Sequence, residues 1–290
     1  MPLTCRSGCK VNLLLNILGR RPDGFHDLET LFLPVPLHDE LQFETADAGV
    51  HLTCNRVDLP VDGSNLVHRA ASRFLAAAGL QRGVRIHLEK RIPMAAGLGG
   101  GSGNAAQTLL GMNELFGQPL DAMVIDGLAA GLGSDINFFL QERPALARGR
   151  GEQVTPLDPF PILSGRGLLL HHPGFGISTA WAYQQLGRFP EGLNGRPGRA
   201  ERLVAQLTAG DLPGAMAGLY NSLETPALDK YPILQLFQEA FIRNGAIGTL
   251  MSGSGSTTFA VFPDLSSAQA AVGPFQAEFG VEGWTQVVEL

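Results

Sequence analysis

The stretch that decides the fold is RIPMAAGLGGGSGNAAQTLLGMNELF, which runs from Arg91 to Phe116. Five of the seven residues from Gly97 to Gly103 are glycine. The sequence before them, GVRIHLEKRI, alternates apolar and polar residues, which is typical of a strand. The apolar residues after them recur at helical spacing, at Ala105, Ala106, Leu109, Leu110, Met112 and Phe116. The pattern predicts a strand, a glycine loop and a helix in succession.

The glycine loop is the first candidate for a binding site. Without side chains, the backbone N–H groups of such a loop are exposed, and the following helix directs its positive end at whatever lies there. Both features favour an anion, most naturally a phosphate. The alternative, a flexible surface turn, needs only one or two glycines. Two common phosphate motifs do not match: Asn104 follows Gly103 where a P-loop has lysine, and Ser102 stands where G-x-G-x-x-G has its third glycine.

The composition indicates an ordinary globular protein of 290 residues, which suits one large domain or two of typical size. Hydrophobic residues make up 44% and charged residues 17%, so a core can be buried and a disordered chain is excluded. The net charge of -6 argues against a general nucleic-acid binder. Small acidic ligands need only local positive groups and are not excluded. No apolar run approaches the ~18 residues of a membrane span.

The cysteines and lysines add two smaller indications. Cys5, Cys9 and Cys54 form no CxxC motif and cannot all pair, so we expect reduced thiols and a cytoplasmic protein. The first residues carry no pattern of a signal or transit peptide. Only three of the 21 basic residues are lysine. A lysine at Lys10 therefore suggests a need for a compact charge, although codon bias would give the same pattern.

The order of elements predicts an α+β fold with two lobes. The first ninety residues favour strands and one helix, which Ser64 or Asn65 would cap. The proline-rich stretch over 155–165 is a candidate linker. We therefore expect an N-terminal lobe over 1–155, which holds the glycine loop, and a C-terminal α+β lobe over 156–290, whose last residues are free to pack back on the first lobe. The Gly/Pro/Arg-rich segment near 187–200 is predicted to be a mobile loop and a candidate lid.

Three stretches resemble one family of enzymes. PMAAGLGGGSGNAA is similar to the phosphate loop of the GHMP kinases, small-molecule kinases named after galactokinase, homoserine, mevalonate and phosphomevalonate kinases. KVNLLLNILGRRPDGFHDLETLF and LMSGSGSTTFAVF support the resemblance, which spans essentially the whole chain. It implies a two-lobed fold with mixed and antiparallel sheets and an active site in the cleft between the lobes. Two positions depart from the family pattern: Gly103 stands where a second serine is expected, and Phe25 where tyrosine is frequent.

The resemblance also implies an activity. Within the family, the motifs are most similar to kinases that phosphorylate the 2-hydroxyl of a cytidine-diphosphate-linked methylerythritol, in non-mevalonate isoprenoid biosynthesis. The implied cofactors are ATP and Mg²⁺, and the implied partners are the small-molecule substrate and ATP, without nucleic acid or membrane, in a monomer or weak homodimer. Two alternatives stay open: a family member acting on mevalonate or homoserine, and a nucleotide-binding regulator without catalysis.

The resemblance implies two catalytic residues. Asp135, in GLGSDINFF, would accept or orient the proton of the reacting hydroxyl. Lys10 would keep that carboxylate ionised and stabilise negative charge on the transferring phosphoryl group. Each also has a structural interpretation. Asp135 taken alone is more often a helix cap, and Lys10 a solvated charge.

The binding residues follow from the same resemblance. Phe25 would stack on the cytosine ring, His26 would hydrogen-bond its polar edge, and Asn12 and Thr179 would line the substrate side. Asn65 and Lys90 would lie near adenine, although a helix cap and a strand-end charge explain them nearly as well. The predicted nucleotide-binding residues are Asn65, Lys90, Pro93, Met94, Ala95, Ala96, Gly97, Leu98, Gly99, Gly100, Gly101, Ser102, Gly103 and Asn104.

Metal ligands are harder to identify from the sequence. The hydroxyl of Ser102 is a candidate contact to a phosphate or to Mg²⁺, and no metal ligand is certain. Gly253 and Gly255, in SGSGS, would bring a second backbone turn against the phosphates, although a plain hairpin explains them almost as well. The pair His171–His172 has no third ligand at a useful spacing and is predicted to be the end of a strand.

Overall fold

The computed structural model describes residues 2–290 and shows an α+β protein, as predicted. Its strands are β1 (Leu3–Arg20), β2 (His26–Ala46), β3 (Val50–Cys54), β4 (Gly83–Glu89), β5 (Ala145–Arg148), β6 (Gln153–Pro156), β7 (Gly167–His172), β8 (Tyr220–Asn221), β9 (Gly248–Met251), β10 (Thr258–Phe262) and β11 (Trp284–Glu289). Its helices are α1 (Leu66–Ala77), α2 (Gly100–Leu115), α3 (Ala122–Leu132), α4 (Thr179–Gln185), α5 (Pro190–Leu193), α6 (Arg199–Ala209), α7 (Leu212–Ala217), α8 (Glu224–Lys230), α9 (Ile233–Arg243) and α10 (Leu265–Phe279).

The chain forms two compact units. Unit 1 contains the residues up to Cys9 together with Leu37–Ile92 and Gly99–Glu142, and unit 2 contains Lys10–Pro36, Pro93–Leu98 and Arg143–Leu290. Strands β1 and β2 and the glycine loop therefore contribute residues to both units. These units do not coincide with the lobes predicted over 1–155 and 156–290, and that boundary stays a prediction.

Unit 1 places helices beside a small mixed sheet. Strand β4 runs antiparallel to β2, with Leu41 opposite Leu88, and parallel to β3, with Leu52 opposite Ile86. The apolar residues of β4 are buried, as their alternation predicts. Asn65 lies directly before helix α1, and its side chain accepts a hydrogen bond from the backbone of Val67 at 2.8 Å. The predicted cap is therefore confirmed, with Asn65 in that role.

Unit 2 is built on a four-stranded antiparallel sheet in the order β11-β7-β10-β9. All six residues of β7 are buried, as expected for a central strand. Helices α9 and α10 contribute Phe237, Phe241 and Phe275 to its core. The last residues of the chain form β11, in register with β7 from Trp284 opposite His172 onward. In the same unit β5 pairs with β2 and with β6, and β8 pairs with β1 in parallel.

The segment over 187–200 has more structure than its composition predicted. It contains the short helix α5, and α6 starts at Arg199. The carboxylate of Glu29, on β2, accepts hydrogen bonds from the backbone N–H groups of Gly198, Arg199 and Ala200 at 2.9–3.2 Å. This carboxylate neutralises the positive end of α6 and anchors the segment. The prediction of a plain loop was wrong here, because its main anchor lies far away in sequence, and the lid role stays a prediction.

Two general features complete the description. Within residues 2–290, no helix combines the length and the apolar composition needed to cross a bilayer. Cys5, Cys9 and Cys54 form no disulfide, in agreement with their spacing in the sequence.

Candidate active site

The start of α2 has the features of an anion site. Gly99, just before the helix, has a left-handed φ of 71° and provides no side-chain cap, and the first turn contains no acidic residue. The first N–H groups of the helix therefore have no partner within it. A Cβ at Gly100 would come within 2.9 Å of Lys90 Nζ, so close packing also excludes a side chain there. Phosphate binding at Gly99–Asn104 stays a prediction, and this bare helix end favours it.

Ser102 and Asp135 meet at this end of α2. The Ser102 hydroxyl donates to Asp135 Oδ1 at 2.7 Å. Asp135 does not cap a helix, because the 3₁₀ helix over Asn137–Leu140 begins after Ile136 without a side-chain cap. The structural interpretation of Asp135 as a cap was therefore wrong. A hydroxyl and a carboxylate are hard oxygen donors of the kind that Mg²⁺ prefers.

A buried carboxylate that the sequence analysis missed holds the two sides of this site together. Asp39, at 0% exposure, accepts hydrogen bonds from the backbone N–H groups of Arg91 and Ile92 at 2.7 and 2.8 Å and from Asn104 Nδ2 at 2.9 Å. It also forms a buried ion pair with Lys90 Nζ. Asp39 thereby connects the residues that follow β4 to the first turn of α2. A charged residue between apolar positions of a strand, as in PLHDELQF, was the signal that could have revealed it.

Three residues predicted to bind the nucleotide have structural partners in this unit. Lys90 is a charge at the end of β4, as its structural interpretation holds, and its ammonium is buried against Asp39. Asn65 caps α1, and Asn104 donates to Ser7 Oγ as well as to Asp39. Their contacts to adenine or phosphate stay predictions.

The glycine at Gly103 has a steric reason. A Cβ at this position would lie 2.5 Å from the carbonyl oxygen of Gly8 and 3.0 Å from Ser7 Oγ. Strand β1 and helix α2 therefore approach too closely at this point for a serine. The departure from the family pattern reflects the packing of these two elements.

Lys10 lies in unit 2 beside the other half of the glycine loop. Its backbone N–H donates to the Leu98 carbonyl at 3.0 Å, and its ammonium donates to the Gly97 carbonyl at 2.8 Å and to Asn12 Oδ1 at 2.5 Å. The side chain is only 4% exposed, so the interpretation as a solvated charge was wrong. Phe32 packs below it, with 5.5 Å between Nζ and the ring centroid. An ammonium at this position can stabilise negative charge close to the loop.

The second glycine turn packs against the same loop. Ser252 Oγ donates to the Gly97 carbonyl at 3.0 Å and accepts from the backbone of Asn12 at 3.3 Å. A Cβ at Gly97 would overlap the Ser252 carbonyl, and one at Gly253 would lie 3.0 Å from the Gly97 carbonyl. These glycines are required by the close approach of two backbones, in addition to the positive φ of both. Ser252 was not predicted as a site residue, although SGSGS was.

The turn over RPDG presents Phe25 and His26. The Arg21 guanidinium pairs with Asp23 and Asp27 at 3.0 and 2.9 Å and closes the turn. Phe25 is 50% exposed rather than part of the core, and the Arg150 guanidinium lies 4.7 Å from its ring centroid. An exposed aromatic ring on a fixed turn is suited to stacking.

His26, the residue after Phe25, packs against Tyr183. Its ring centroid lies 4.9 Å from that of Tyr183. Burial, assisted by the charge of Arg20, lowers the pKa of His26, so its imidazole is neutral at pH 7. A neutral imidazole offers one donor and one acceptor to a ligand.

Two further residues predicted to bind substrate lie in unit 2. Thr179 is the first residue of α4, and its hydroxyl lies 2.9 Å from that of Ser254 in the second glycine turn. Asn12 is buried, with Oδ1 toward Lys10 and Nδ2 donating to Thr30 Oγ1 at 2.8 Å. The structure thus brings Asn12 together with Lys10, while the contacts of Asn12 and Thr179 to substrate stay predictions.

The histidine pair ends a strand, as predicted. His172 closes β7, and both side chains are buried. His171 Nδ1 is 2.9 Å from Thr285 Oγ1, and its ring packs edge-on against Phe237 and Phe275. Burial, and secondarily the charge of His172, lowers the pKa of His171 to about 4. Among residues 2–290, no group of three His, Cys, Asp or Glu side chains could hold a metal ion.

Comparisons with known proteins agree with these features. The model for the GHMP kinases N terminal domain matches residues 65–141, and that for GHMP kinases C terminal matches residues 203–281. The chain is 42% identical over 270 residues to a 4-diphosphocytidyl-2-C-methyl-D-erythritol kinase of Pelotomaculum thermopropionicum, covering 93% of this chain and 92% of the relative. A Synechococcus protein of the same name is 40% identical over 284 residues, covering 95% and 90%.

Solved structures show the same relationship. A crystal structure of 4-(cytidine 5'-diphospho)-2C-methyl-D-erythritol kinase matches with a TM-score of 0.82 and 37% identity, over 98% of both chains. A homoserine kinase from Cytophaga hutchinsonii matches with a TM-score of 0.72 over 98% of this chain and 93% of its own, but at 19% identity, so it shares the fold alone. With both domains matched and relatives alike over nearly the full length, the chain belongs to the GHMP kinase family of ATP-dependent phosphotransferases.

Proposed function

We propose that the protein transfers the γ-phosphoryl group of ATP to the 2-hydroxyl of 4-diphosphocytidyl-2-C-methyl-D-erythritol, with ADP and the 2-phosphorylated compound as products. The observation that carries this proposal is the 37–42% identity, over at least nine-tenths of the chain, to proteins named for this substrate. Kinases of other alcohols share the fold at 19% identity or less. The reaction would take place in the cytoplasm, in keeping with three cysteines outside disulfides.

The triphosphate of ATP would be held by residues 93–104. The bare amides at the start of α2 and the glycines at Gly97 and Gly99 support this assignment. Mg²⁺ would neutralise the triphosphate charge when bound. Ser102 and Asp135 fit such an ion, because their oxygens lie 2.7 Å apart at the helix end and Mg²⁺ is usually held by one or two carboxylates plus the phosphates of a nucleotide.

The roles of the catalytic pair follow from their chemistry. Asp135 would accept or orient the proton of the 2-hydroxyl, and its bond from Ser102 fixes one of its oxygens. Lys10 would stabilise the charge on the transferring phosphoryl group. Its ammonium is already held by two acceptors, so little reorganisation is needed during the reaction. That the two residues serve the same hydroxyl is part of the proposal.

The turn at Phe25 and His26 would bind the cytidine end of the substrate. Phe25 offers a half-exposed ring for stacking, and a phenyl ring keeps the π face of a tyrosine. The neutral His26 can donate to or accept from the polar edge of cytosine. Mevalonate and homoserine have no base that would use this turn.

The experiment that tests the proposal compares alcohols and variants. The protein is assayed with labelled ATP and, separately, the cytidylyl substrate, mevalonate and homoserine. We expect turnover of the cytidylyl substrate alone. In Asp135→Asn, phosphoryl transfer should fall by at least ~100-fold while ATP binding by calorimetry persists. Asp58→Asn, on an exposed turn where Asp58 pairs with Arg56, is the matched control and should keep full activity.

Three outcomes of these assays would contradict the proposed function or a part of it. Turnover of mevalonate or homoserine but not of the cytidylyl substrate would overturn the substrate assignment. Binding of ATP without turnover of any of the three alcohols would favour a nucleotide-binding regulator. Full activity in Asp135→Asn would remove Asp135 from the mechanism.

A further inference from the structure

A buried chain of hydrogen bonds leads from the backbone of β1 to the ammonium of Lys10. The Thr30 hydroxyl donates to the Leu14 carbonyl at 2.6 Å, and Asn12 Nδ2 donates to Thr30 Oγ1 at 2.8 Å. At the other end of the same amide, Asn12 Oδ1 accepts from Lys10 Nζ at 2.5 Å. Thr30 and Asn12 are each 2% exposed, so water is largely excluded from this chain.

The groups at the two ends of this hydrogen-bond chain determine which atom donates in each of its hydrogen bonds. A carbonyl can only accept, so the Thr30 hydroxyl must donate its proton to Leu14 and offer a lone pair to Asn12. An ammonium can only donate, so it requires the oxygen of the Asn12 amide. The two constraints select the same orientation of Asn12. Reversed by 180°, the amide would place its NH₂ group against the ammonium and its oxygen against a lone pair.

We propose that Thr30 is a positioning residue, which fixes the orientation of the Asn12 amide and thereby holds Lys10 Nζ beside the Gly97 carbonyl. The inference rests on the proposed function, in which Lys10 acts on the transferring phosphoryl group. Thr30 itself need not touch substrate or nucleotide. Its hydroxyl acts two bonds away, through Asn12.

Loss of the Thr30 hydroxyl would release this constraint. Asn12 Nδ2 would lose the buried acceptor that the structure gives it, which favours reversal of the amide or its withdrawal. Lys10 would then lose the Asn12 oxygen as an acceptor and, with a flexible four-carbon side chain, would leave the position beside Gly97 more often. Because a small displacement of a catalytic group slows the chemical step, the effect should appear in kcat rather than in ATP binding.

The first test compares a variant without the hydroxyl with one that keeps it. Thr30→Val keeps the shape and removes the hydroxyl, while Thr30→Ser keeps the hydroxyl and removes a methyl group. We expect kcat to fall roughly 10- to 100-fold in Thr30→Val, with the KM for ATP within about threefold of the wild type, and to stay within about threefold in Thr30→Ser. If Thr30 had only a structural role, kcat would fall equally in both variants, or KM and kcat would change together. If Thr30→Val does not fold, Thr30→Cys, whose thiol is a weak partner, carries the same expectation.

The second test asks whether Thr30 acts through Asn12. In Asn12→Asp both terminal atoms of the side chain are oxygen, so a 180° reversal of the group changes nothing. The oxygen that faces Thr30 would meet a lone pair of the Thr30 hydroxyl instead of donating to it. Thr30→Val should therefore lower kcat in the wild type but leave it unchanged, or raise it, in the Asn12→Asp background. An equal loss of kcat in both backgrounds would contradict the inference.

A third variant separates failure of the inference from failure of the proposed function. Lys10→Met should abolish turnover if Lys10 acts as proposed. An active Lys10→Met, or a wild type that phosphorylates none of the alcohols, would refute the proposed function. An inactive Lys10→Met together with a Thr30→Val enzyme within twofold of the wild type would refute the role of Thr30 alone. If another alcohol proves to be the substrate, the same variants are assayed with it.

Discussion

At the scale of single residues, glycines mark the points where two backbones come closest. Gly103 illustrates this best, because its missing side chain allows α2 to lie against the Gly8 carbonyl of β1. Gly101, two residues earlier on the same helix, is different: a Cβ there would meet only Leu66 Cδ1, at 3.9 Å. The same helix thus has one glycine required by packing and one that packing leaves free.

Serine substitutions at these two positions should therefore differ. In Gly103→Ser the Cβ would lie 2.5 Å from the Gly8 carbonyl oxygen, so strand and helix must separate, and we expect the free energy of unfolding to fall by about 1–3 kcal/mol. In Gly101→Ser it should stay unchanged or rise slightly, because serine is the better helix former. Urea unfolding followed by circular dichroism measures both. Equal stability of the two variants would show that the chain accommodates the serine at no cost.

The sequence provided candidate site residues where a motif surrounds them. The glycine loop, SGSGS and RPDGFH were found by spacing and resemblance, and the structure places Lys10 beside one half of the loop and Asp135 beside the other. Thr30 was missed because nothing in its neighbourhood distinguishes it, whereas Asp39 and Ser252 were missed although the strand pattern PLHDELQF and the motif SGSGS surround them. Their roles depend on hydrogen-bond partners more than fifteen residues away or on buried amides, which no local pattern specifies.

At the scale of elements, Asp39 joins the residues after β4 to the first turn of α2. Both sides of the join carry predicted nucleotide-binding residues, Lys90 and Asn104. A carboxylate that accepts two backbone bonds, an amide bond and an ammonium bond is fully satisfied, so its burial does not destabilise the fold. One side chain of a third element, β2, therefore joins the end of β4 to the start of α2.

Removal of this carboxylate should be far more damaging than removal of an exposed one. Asp39→Ala leaves the Lys90 ammonium buried without its counterion, and we expect the free energy of unfolding to fall by about 3–5 kcal/mol. Asp58→Ala breaks the exposed pair with Arg56, which solvent screens, and should lower the free energy of unfolding far less. Guanidinium unfolding of both variants tests the difference. A similar small loss in both would mean that Lys90 reaches water in the variant.

Helices and strands could be predicted from the sequence where the spacing of apolar residues indicates which face of the element is buried. The strand–loop–helix order around the glycines and the capped α1 appear where the patterns predicted them. The segment over 187–200 was the exception. Its Gly, Pro and Arg content indicated a loop, but the Glu29 carboxylate supplies the cap that starts α6. Such a tertiary cap leaves no mark in the local sequence.

At the scale of the whole molecule, the sheet of unit 2 carries a titratable group in its centre. His171 lies in β7 between β10 and β11, bonded to Thr285 and packed on Phe237 and Phe275. Its pKa of about 4 lies below the ordinary value of 6.5, so the folded chain favours the neutral ring. Protonation therefore favours unfolding. The stability that this histidine contributes is complete above about pH 6.5 and is lost as the pH falls toward 4.

The pH dependence of unfolding should report this effect. Between pH 7.5 and pH 5 we expect His171 to account for a loss of about 2 kcal/mol in the free energy of unfolding. In His171→Asn, which keeps a polar atom for Thr285 but does not titrate in this range, that part of the loss should disappear. His51→Gln, at an exposed strand position, is the control for the loss of a histidine as such. Parallel slopes in the wild type and in His171→Asn would exclude His171 as the cause.

The distribution of the three lysines has a practical consequence for labelling. Lys10 and Lys90 are buried in the hydrogen-bond networks described above, whereas Lys230, at the end of α8, is exposed and lies over the rings of Trp181 and Tyr231. An amine-directed dye therefore has a single accessible lysine side chain on the folded protein. A fluorophore attached there would sit on an indole 4.3 Å from the native ammonium, close enough for contact quenching to follow local opening of α8.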